Sequence, residues 1–356
     1  MTAKFTQVVA GLPASQPFVG PETLERRMGL KFAVRLGANE QRFGPSPLAV
    51  AAMAGQDAWM YGDPENHDLK RALAAKHGCR AENIVVGEGV DGLLGLIVRL
   101  FIGPGDRVVT SLGSYPTFNY HVTGFGGEII AVPYVNDHSD TKGLIAASMG
   151  AKLVYLANPD NPMGSHHGAG LILDMLAALP QGSLLILDEA YVDFAPDVPL
   201  IDPDDPRVIR LRSFSKSYGL AGLRLGYAIC APDLAAKFDL VRHHFGVGRI
   251  VQTAGLAALS DHAHLAHVLA GSVAARVRIG QIADRFGLRA LPSATNFTCV
   301  DLGRDGDYAR AVLARLIELG VFVRMPSIAP MDRCLRISHG TAQDLDIFEQ
   351  ALAPAL

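Results

Sequence analysis

The sequence predicts an α/β protein, with a mainly parallel sheet flanked by helices in a large domain and a smaller α+β domain beside it. Three observations lead there. The chain has 356 residues, more than one simple core organises, so a large and a small domain are expected. Its middle alternates short β-branched runs with amphipathic stretches, the mark of strand–helix–strand units. After about Arg242 that alternation stops.

Taken in order, the segment up to about Pro47 has little regular pattern and is expected to dock on the small domain. Asn83–Val86, Arg107–Thr110, Glu128–Val132, Lys152–Leu156, Ser183–Leu187 and Arg207–Leu211 read as buried strands. Between them the clearest helical face carries Leu93, Leu96, Ile97, Leu100 and Phe101. Beyond Arg242 the pattern predicts a helix from Val251, a long one over His264–Arg285, a strand at Phe297, a helix near Asp307–Leu319, and short strands at Val321 and Leu335. The expected division is therefore residues 48–242 as the large domain, with 1–47 and 243–356 as the small one. In open parallel sheets ligands bind beyond the carboxyl ends of the strands, so the residues that follow each strand matter most.

Composition narrows the function. Nearly half the residues are apolar (49%), 19% are charged and the formal net charge is -3, the profile of a globular protein with no bias toward nucleic acid or an anionic membrane. The first residues lack the apolar stretch of a signal peptide. The greasiest segment, Gly92–Gly103, is short and contains Arg99, so no membrane span is expected. Cys79, Cys230, Cys299 and Cys334 form no CxxC pair. Neither structural disulfides nor a zinc site is expected, and the cytoplasm is the expected compartment. The adjacent histidines at 166–167 and 243–244 are poorly spaced to chelate one ion, so no metal is expected.

Gly87, Gly89 and Gly92 fit GxGxxG, following a strand and opening a helix. A dinucleotide fingerprint also needs an acid at the end of the next strand, and Asp106 precedes its strand instead. What survives is the anion-binding capacity of glycines at a helix N-terminus. The segment that carries most chemistry is Ser213–Tyr227, SFSKSYGLAGLRLGY. It follows a strand and so sets Lys216 at the ligand edge, while Ser213 and Arg224 bracket it as a hydroxyl and a guanidinium fork able to hold a phosphate. A lysine beside a bound phosphate suits an aldehyde cofactor that forms an imine. Asp188 and Glu189 end another strand and face opposite sides. A single carboxylate there suits a protonated pyridine nitrogen. Asn161 follows a further strand and is placed to bond a ring oxygen, or to serve as a turn residue.

These segments, together with DEAYVDF, NPDNPMG, GEGVDGLLGLIVRLF, YGDPENHDLKRAL and LRISHG, resemble the fold-type I aminotransferases of class I/II, most of all the histidinol-phosphate aminotransferase group. The likeness runs from about Arg35 to the C-terminus and implies an aspartate-aminotransferase-like fold, with pyridoxal 5′-phosphate bound in the large domain. By that resemblance Lys216 carries the cofactor as an imine and shuttles a proton, Asp188 pairs with the pyridine nitrogen, and Tyr191 and Asn161 bond the ring oxygen. Ser213, Arg224 and the backbone at Val90, Asp91 and Gly92 hold the phosphate. Phe118 stacks on the ring, and Tyr61 reaches the cofactor phosphate of the partner in a homodimer with shared active sites. Arg336 grips the substrate anion, with Arg324 and Asn39 as further substrate-binding candidates. The partners implied are an amino donor and a 2-oxo acid acceptor.

The sequence departs from the family pattern at Met163, where threonine is usual, at the uncommon run Ser165–His167, and at Val90, where serine or alanine is usual. These changes bear on the substrate. The same residues would also serve a decarboxylase of the threonine-phosphate type or a β-lyase, because the cofactor carries the hard chemistry. A non-enzymatic regulator would want a basic helix-turn-helix segment, and none is read here.

Overall fold

All six apolar runs of the middle segment are strands in the computed structural model, which describes residues 4–13 and 19–356. A seventh joins them. In chain order they are β1 (Ile84–Gly87), β2 (Arg107–Ser111), β3 (Glu128–Val132), β4 (Leu153–Ala157), β5 (Leu184–Asp188), β6 (Val208–Ser213) and β7 (Gly226–Ile229). The sheet order is β1-β7-β6-β5-β4-β2-β3. β2 to β6 pair in parallel, whereas β7 runs antiparallel to both β1 and β6. Strands β4, β5 and β6 are buried along their whole length, as expected where both faces of a parallel sheet are covered. The seventh strand escaped the sequence reading because it lies inside the glycine-rich segment after Lys216.

The helix Gly89–Phe101 packs on one face through Leu93, Leu94, Ile97 and Val98, while Leu96, Leu100 and Phe101 are only partly buried. The buried stripe is thus rotated from the face read in the sequence, because the helix meets the sheet and the helix Pro116–Gly124 together. Gly226 allows the close approach of β7 to this helix. A Cβ there would lie 2.9 Å from the Gly89 carbonyl carbon and the Val90 nitrogen.

The smaller body gathers both ends of the chain. An antiparallel sheet of Arg289–Ala290, Phe297–Asp301 and Cys334–Ser338 packs with the helices His262–Arg285, Gly306–Glu318 and Ala342–Ala355. Val34–Arg35 pairs in parallel with Val321–Phe322, and Val34 and Leu36 enter the same core as Leu316, Leu335 and Phe348. Arg42 clamps this stretch to Asp344 through two hydrogen bonds. The expected break after residue 242 does not coincide with a change of core. Val247, Ala254 and Ala258, around the helix Arg249–Ser260, share a cluster with Ala49, Leu69, Leu73 and Phe214 of the large body. The apolar face of that helix is completed by the helix Pro47–Ala54.

Glu189 lies just past β5 and is 1% exposed. It accepts from Arg210 Nε at 3.1 Å, Arg210 Nη2 at 3.0 Å and Arg212 Nε at 2.7 Å. Truncating it leaves two buried guanidinium groups without their shared carboxylate, a loss of about 3–5 kcal/mol. Glu189→Ala should lower the urea midpoint accordingly; a change below about 1 kcal/mol would remove this ion pair from the account of the fold.

Candidate active site

A cleft of about 530 Å³ opens at the carboxyl ends of β4, β5 and β6, lined by Asp188, Tyr191, Asn161, Ser213, Lys216 and Arg224 among others. It adjoins an outer cleft of about 1530 Å³ that reaches Arg324 and Arg336. Residues dispersed from position 39 to position 336 thus converge where the topology predicts a ligand.

Lys216 stands in the turn after β6. The Ser213 hydroxyl accepts from the Ser215 N–H at 3.0 Å, the Ser217 hydroxyl bonds Asp193, and buried Phe214 anchors the segment. Gly219 closes the turn at φ 68°, where a Cβ would lie 2.6 Å from the Gly44 oxygen, so glycine alone fits. The Lys216 ammonium donates to the Asn39 carbonyl at 3.3 Å. It also sits 5.4 Å from the Tyr191 ring centre, within cation–π range.

Asp188 ends β5 with its carboxylate toward the cleft. It accepts from the Tyr155 hydroxyl at 2.7 Å and from the Ala190 N–H at 3.0 Å. No salt bridge links Asp188 to a cation among the described residues. Burial pushes its carboxyl up to about 6, against the opposing pull of those two hydrogen bonds. Glu189 points to the other side of the sheet, as alternation requires.

The opposite end of the cleft is electropositive. The helix Gly89–Phe101 begins at its floor, with Val90 and Asp91 lining the cavity and Gly92 in the same first turn, so its leading N–H groups are available to an anion. Gly89 has φ 74°, and a Cβ there would lie 2.7 Å from Arg224 Nη2. The glycine therefore leaves space for the guanidinium over the helix start. Arg224, itself at φ 52°, donates to Ser215 Oγ at 3.3 Å and pairs with Asp91 at 3.1 Å.

A buried polar chain joins the two bodies. Asn39, 2% exposed and at φ 54°, donates through Nδ2 to the Tyr191 hydroxyl at 3.0 Å. The same hydroxyl takes Asn161 Nδ2 at 3.5 Å, and Asn161 Oδ1 accepts from Arg336 Nη1 at 2.6 Å. Arg336 Nη2 donates to the Gly37 carbonyl at 3.2 Å, while its buried Nε finds no acceptor. Arg324 lies opposite Arg336 in a backbone bridge. Burial and the Arg336 charge hold its guanidinium down at about 10. Both arginines line the outer cleft.

Phe118 does not reach the cleft. It is fully buried and stacks on Tyr155 at 4.7 Å, because its place on the helix Pro116–Gly124 faces the sheet. Tyr115, at the N-cap of that helix, lines the cleft instead and donates to Asp91 Oδ1 at 2.7 Å. Tyr61 is 75% exposed and packs against Phe245 at 4.6 Å, outside the cleft of its own chain. Met163 is buried behind the site in a cluster with Tyr191 and Phe297. His166 and His167 diverge, the first toward Asp197 and the second to the Ser139 carbonyl. Tyr155, Tyr115 and Ser215 were missed in the sequence reading. A tyrosine inside an apolar strand was the available signal for the first, since its buried hydroxyl needs a partner.

The family model for aminotransferase class I and II matches residues 33–352. A histidinol-phosphate aminotransferase of Moorella thermoacetica is 34% identical over 94% of this chain and 88% of its own length. The crystal structure of histidinol-phosphate aminotransferase from Sinorhizobium meliloti in complex with pyridoxal 5′-phosphate is 50% identical, covers 100% of this chain and 98% of that one, and superposes with a TM-score of 0.96. An aspartate aminotransferase of Thermus thermophilus shares the fold, with a TM-score of 0.83 at 20% identity and full coverage of both chains.

Asp188 makes stability depend on pH in a stated direction. Below the ordinary value near 3.8 the carboxyl is neutral whether folded or unfolded. As pH rises from there to about 6, the unfolded chain ionises first and the fold loses stability, by about 3 kcal/mol at most. Without bound ligand, Asp188→Asn should therefore be more stable than the parent by about 1–3 kcal/mol at pH 7.5, a gain that vanishes by pH 4. Denaturant melts at both pH values check this, and a variant destabilised equally at both would contradict it.

Proposed function

The chain belongs to the class I and II aminotransferases, and on that premise we propose that it transfers an amino group from histidinol phosphate to a 2-oxo acid, using pyridoxal 5′-phosphate held on Lys216. The observation that carries this reading is one cleft that brings three parts together. These are the buried carboxylate of Asp188, the Lys216 ammonium beside it, and the anion cradle of Arg224 at a helix start, with Arg324 and Arg336 beyond.

The residues fit the cofactor. Asp188 is a buried carboxylate in want of a cation, which a protonated pyridine nitrogen supplies, and Gly89 keeps open the cradle that a Cβ would fill. When bound, pyridoxal phosphate provides an aldehyde for amines and a ring that withdraws electrons from the adjoining carbon. Arg224, Ser213 and the N–H groups of Val90, Asp91 and Gly92 hold the phosphate. Asp188 keeps the proton on the ring nitrogen, and Tyr155 holds Asp188 in place. Tyr191 and Asn161 bond the ring oxygen, aligned by Asn39 and Arg336. Released from the cofactor when the substrate amine takes its place, Lys216 Nζ would take the proton from the substrate Cα and deliver it onward as a general base and acid. Arg336 and Arg324 receive the substrate's phosphate, for which a planar fork is better suited than an ammonium.

A homodimer with shared active sites belongs to the same proposal. Tyr61, Trp59, Leu240 and Phe245 expose 75%, 81%, 74% and 50% of their surface, an apolar face suited to a second copy, and Tyr61 stands free of its own cleft. The four free cysteines suit a reducing compartment such as the cytoplasm.

The direct test is to add pyridoxal phosphate, reduce with borohydride and map the label. Lys216 should be the modified residue, and Lys216→Ala should bind the cofactor yet lose transamination. Histidinol phosphate should discharge the loaded enzyme, and Arg336→Lys should raise its KM about tenfold or more with an unchanged cofactor spectrum. A label elsewhere, or no discharge by histidinol phosphate, would overturn the mechanism or the substrate respectively.

Sharing of the sites is tested by co-expressing Lys216→Ala with Tyr61→Ala, given that Tyr61→Ala alone is badly impaired. The mixed dimer should regain about half the parental activity if Tyr61 acts across the interface, by site counting on a twofold dimer. No recovery would return Tyr61 to its own subunit.

A further inference from the structure

On β6, Ile209 and Leu211 face the core beneath the helix Gly89–Phe101, so Arg210 and Arg212 project from the opposite face. There they line a pocket of about 780 Å³ with Lys76, His77, Leu200 and Asp202. None of these residues belongs to the cleft described above.

Arg210 and Arg212 are each 8% exposed. Arg210 spends Nε and Nη2 on Glu189, and Arg212 spends only Nε. Arg210 Nη1 and both terminal nitrogens of Arg212 make no hydrogen bond to any described residue, yet they are not among the buried unpaired atoms, so they open on the pocket. Two buried guanidinium groups share the Glu189 carboxylate, and the Asp193 charge also reaches Arg212, so what the pocket offers is unused N–H donors. Lys76 stands at the rim, where its ammonium donates to the Tyr218 hydroxyl at 2.7 Å. Asp202, exposed, lines the pocket and accepts from the Asp204 N–H, and Asp193 accepts from the Ser217 hydroxyl. The field is felt by His77, whose ring bonds the Tyr227 hydroxyl at 2.8 Å. Burial, then the charges of Arg212, Lys76 and Arg210, hold it down at about 3. One wall is apolar, with Leu200 91% exposed at its edge.

We propose that this pocket is a second anion site, which binds a phosphate group through the unpaired N–H groups of Arg210 and Arg212, with Lys76 at the rim. Unpartnered guanidinium nitrogens in a concave, part-desolvated setting match a tetrahedral oxyanion in charge and geometry. The shared chemistry is that of inorganic phosphate and of a phosphomonoester, whose organic part would rest against Leu200.

The test is calorimetric titration of the cofactor-loaded enzyme with inorganic phosphate and, separately, with phenyl phosphate. In that state the Arg224 cradle is filled. Arg336→Met is the control for binding in the outer cleft. Arg210→Met, which keeps the Arg212–Glu189 pair, should weaken binding about tenfold to a hundredfold. Leu200→Glu changes only an exposed rim residue and adds a negative charge; it should weaken binding severalfold while the fold and the transamination rate are kept. Tighter binding of phenyl phosphate would identify a monoester as the ligand, and equal binding would identify free phosphate. Absence of binding to the parent, binding abolished by Arg336→Met, or binding unchanged in Leu200→Glu would each overturn the site.

Discussion

Glu189 holds together the part of the sheet on which the cleft is built. It sits between two arginines of the neighbouring strand, almost fully buried, and accepts three hydrogen bonds from them. A one-residue slip of β5 would turn Glu189 toward the cleft and bury Asp188 against two guanidinium groups. The ion pair therefore fixes which carboxylate faces the ligand. From that register follow the position of Ser213 at the end of β6, the start of the turn that carries Lys216, and the antiparallel return of β7 against Gly89.

The cleft itself is an arrangement of costs that only a ligand relieves. Asp188 is desolvated and held near 6. Arg324 lies opposite Arg336 at the outer cleft, where burial and the Arg336 charge hold the Arg324 guanidinium down at about 10. Arg336 keeps a buried Nε without an acceptor. On the proposed reading, a cationic ring nitrogen would meet Asp188 and an anionic substrate would meet the two arginines. The buried chain from Ser338 through Asn39, Tyr191 and Asn161 to Arg336 ties the cofactor end to the substrate end across the two bodies.

Much of this was legible in the sequence because it follows from local patterns. Six strands announced themselves as β-branched runs, and the residues just past them, Asp188, Ser213 and Asn161, are those the cleft uses. What stayed hidden depends on packing between distant segments. β7 is masked by the glycines that let it approach the helix start. The helix Arg249–Ser260 shows its period in the sequence, but not that its partner is Pro47–Ala54 rather than the small body. Phe118 and Tyr115 are three residues apart on one helical turn and its cap, and only the helix's orientation decides which one faces the cleft. Tyr155 reads as a strand residue until the strand beside it is known to end in Asp188.

The central claim is that the Asp188 carboxylate holds a proton on the ring nitrogen of a bound cofactor and so makes the ring an electron sink. The most direct measurement is the single-turnover rate of substrate Cα–H removal, identified by its deuterium isotope effect, in Asp188→Ala and in the parent, both loaded with pyridoxal phosphate. Loss of a buried charge-assisted hydrogen bond should slow that step about a hundredfold, while the affinity for the cofactor, carried by Arg224 and the helix start, changes far less. An unchanged rate of Cα–H removal in Asp188→Ala would contradict the account.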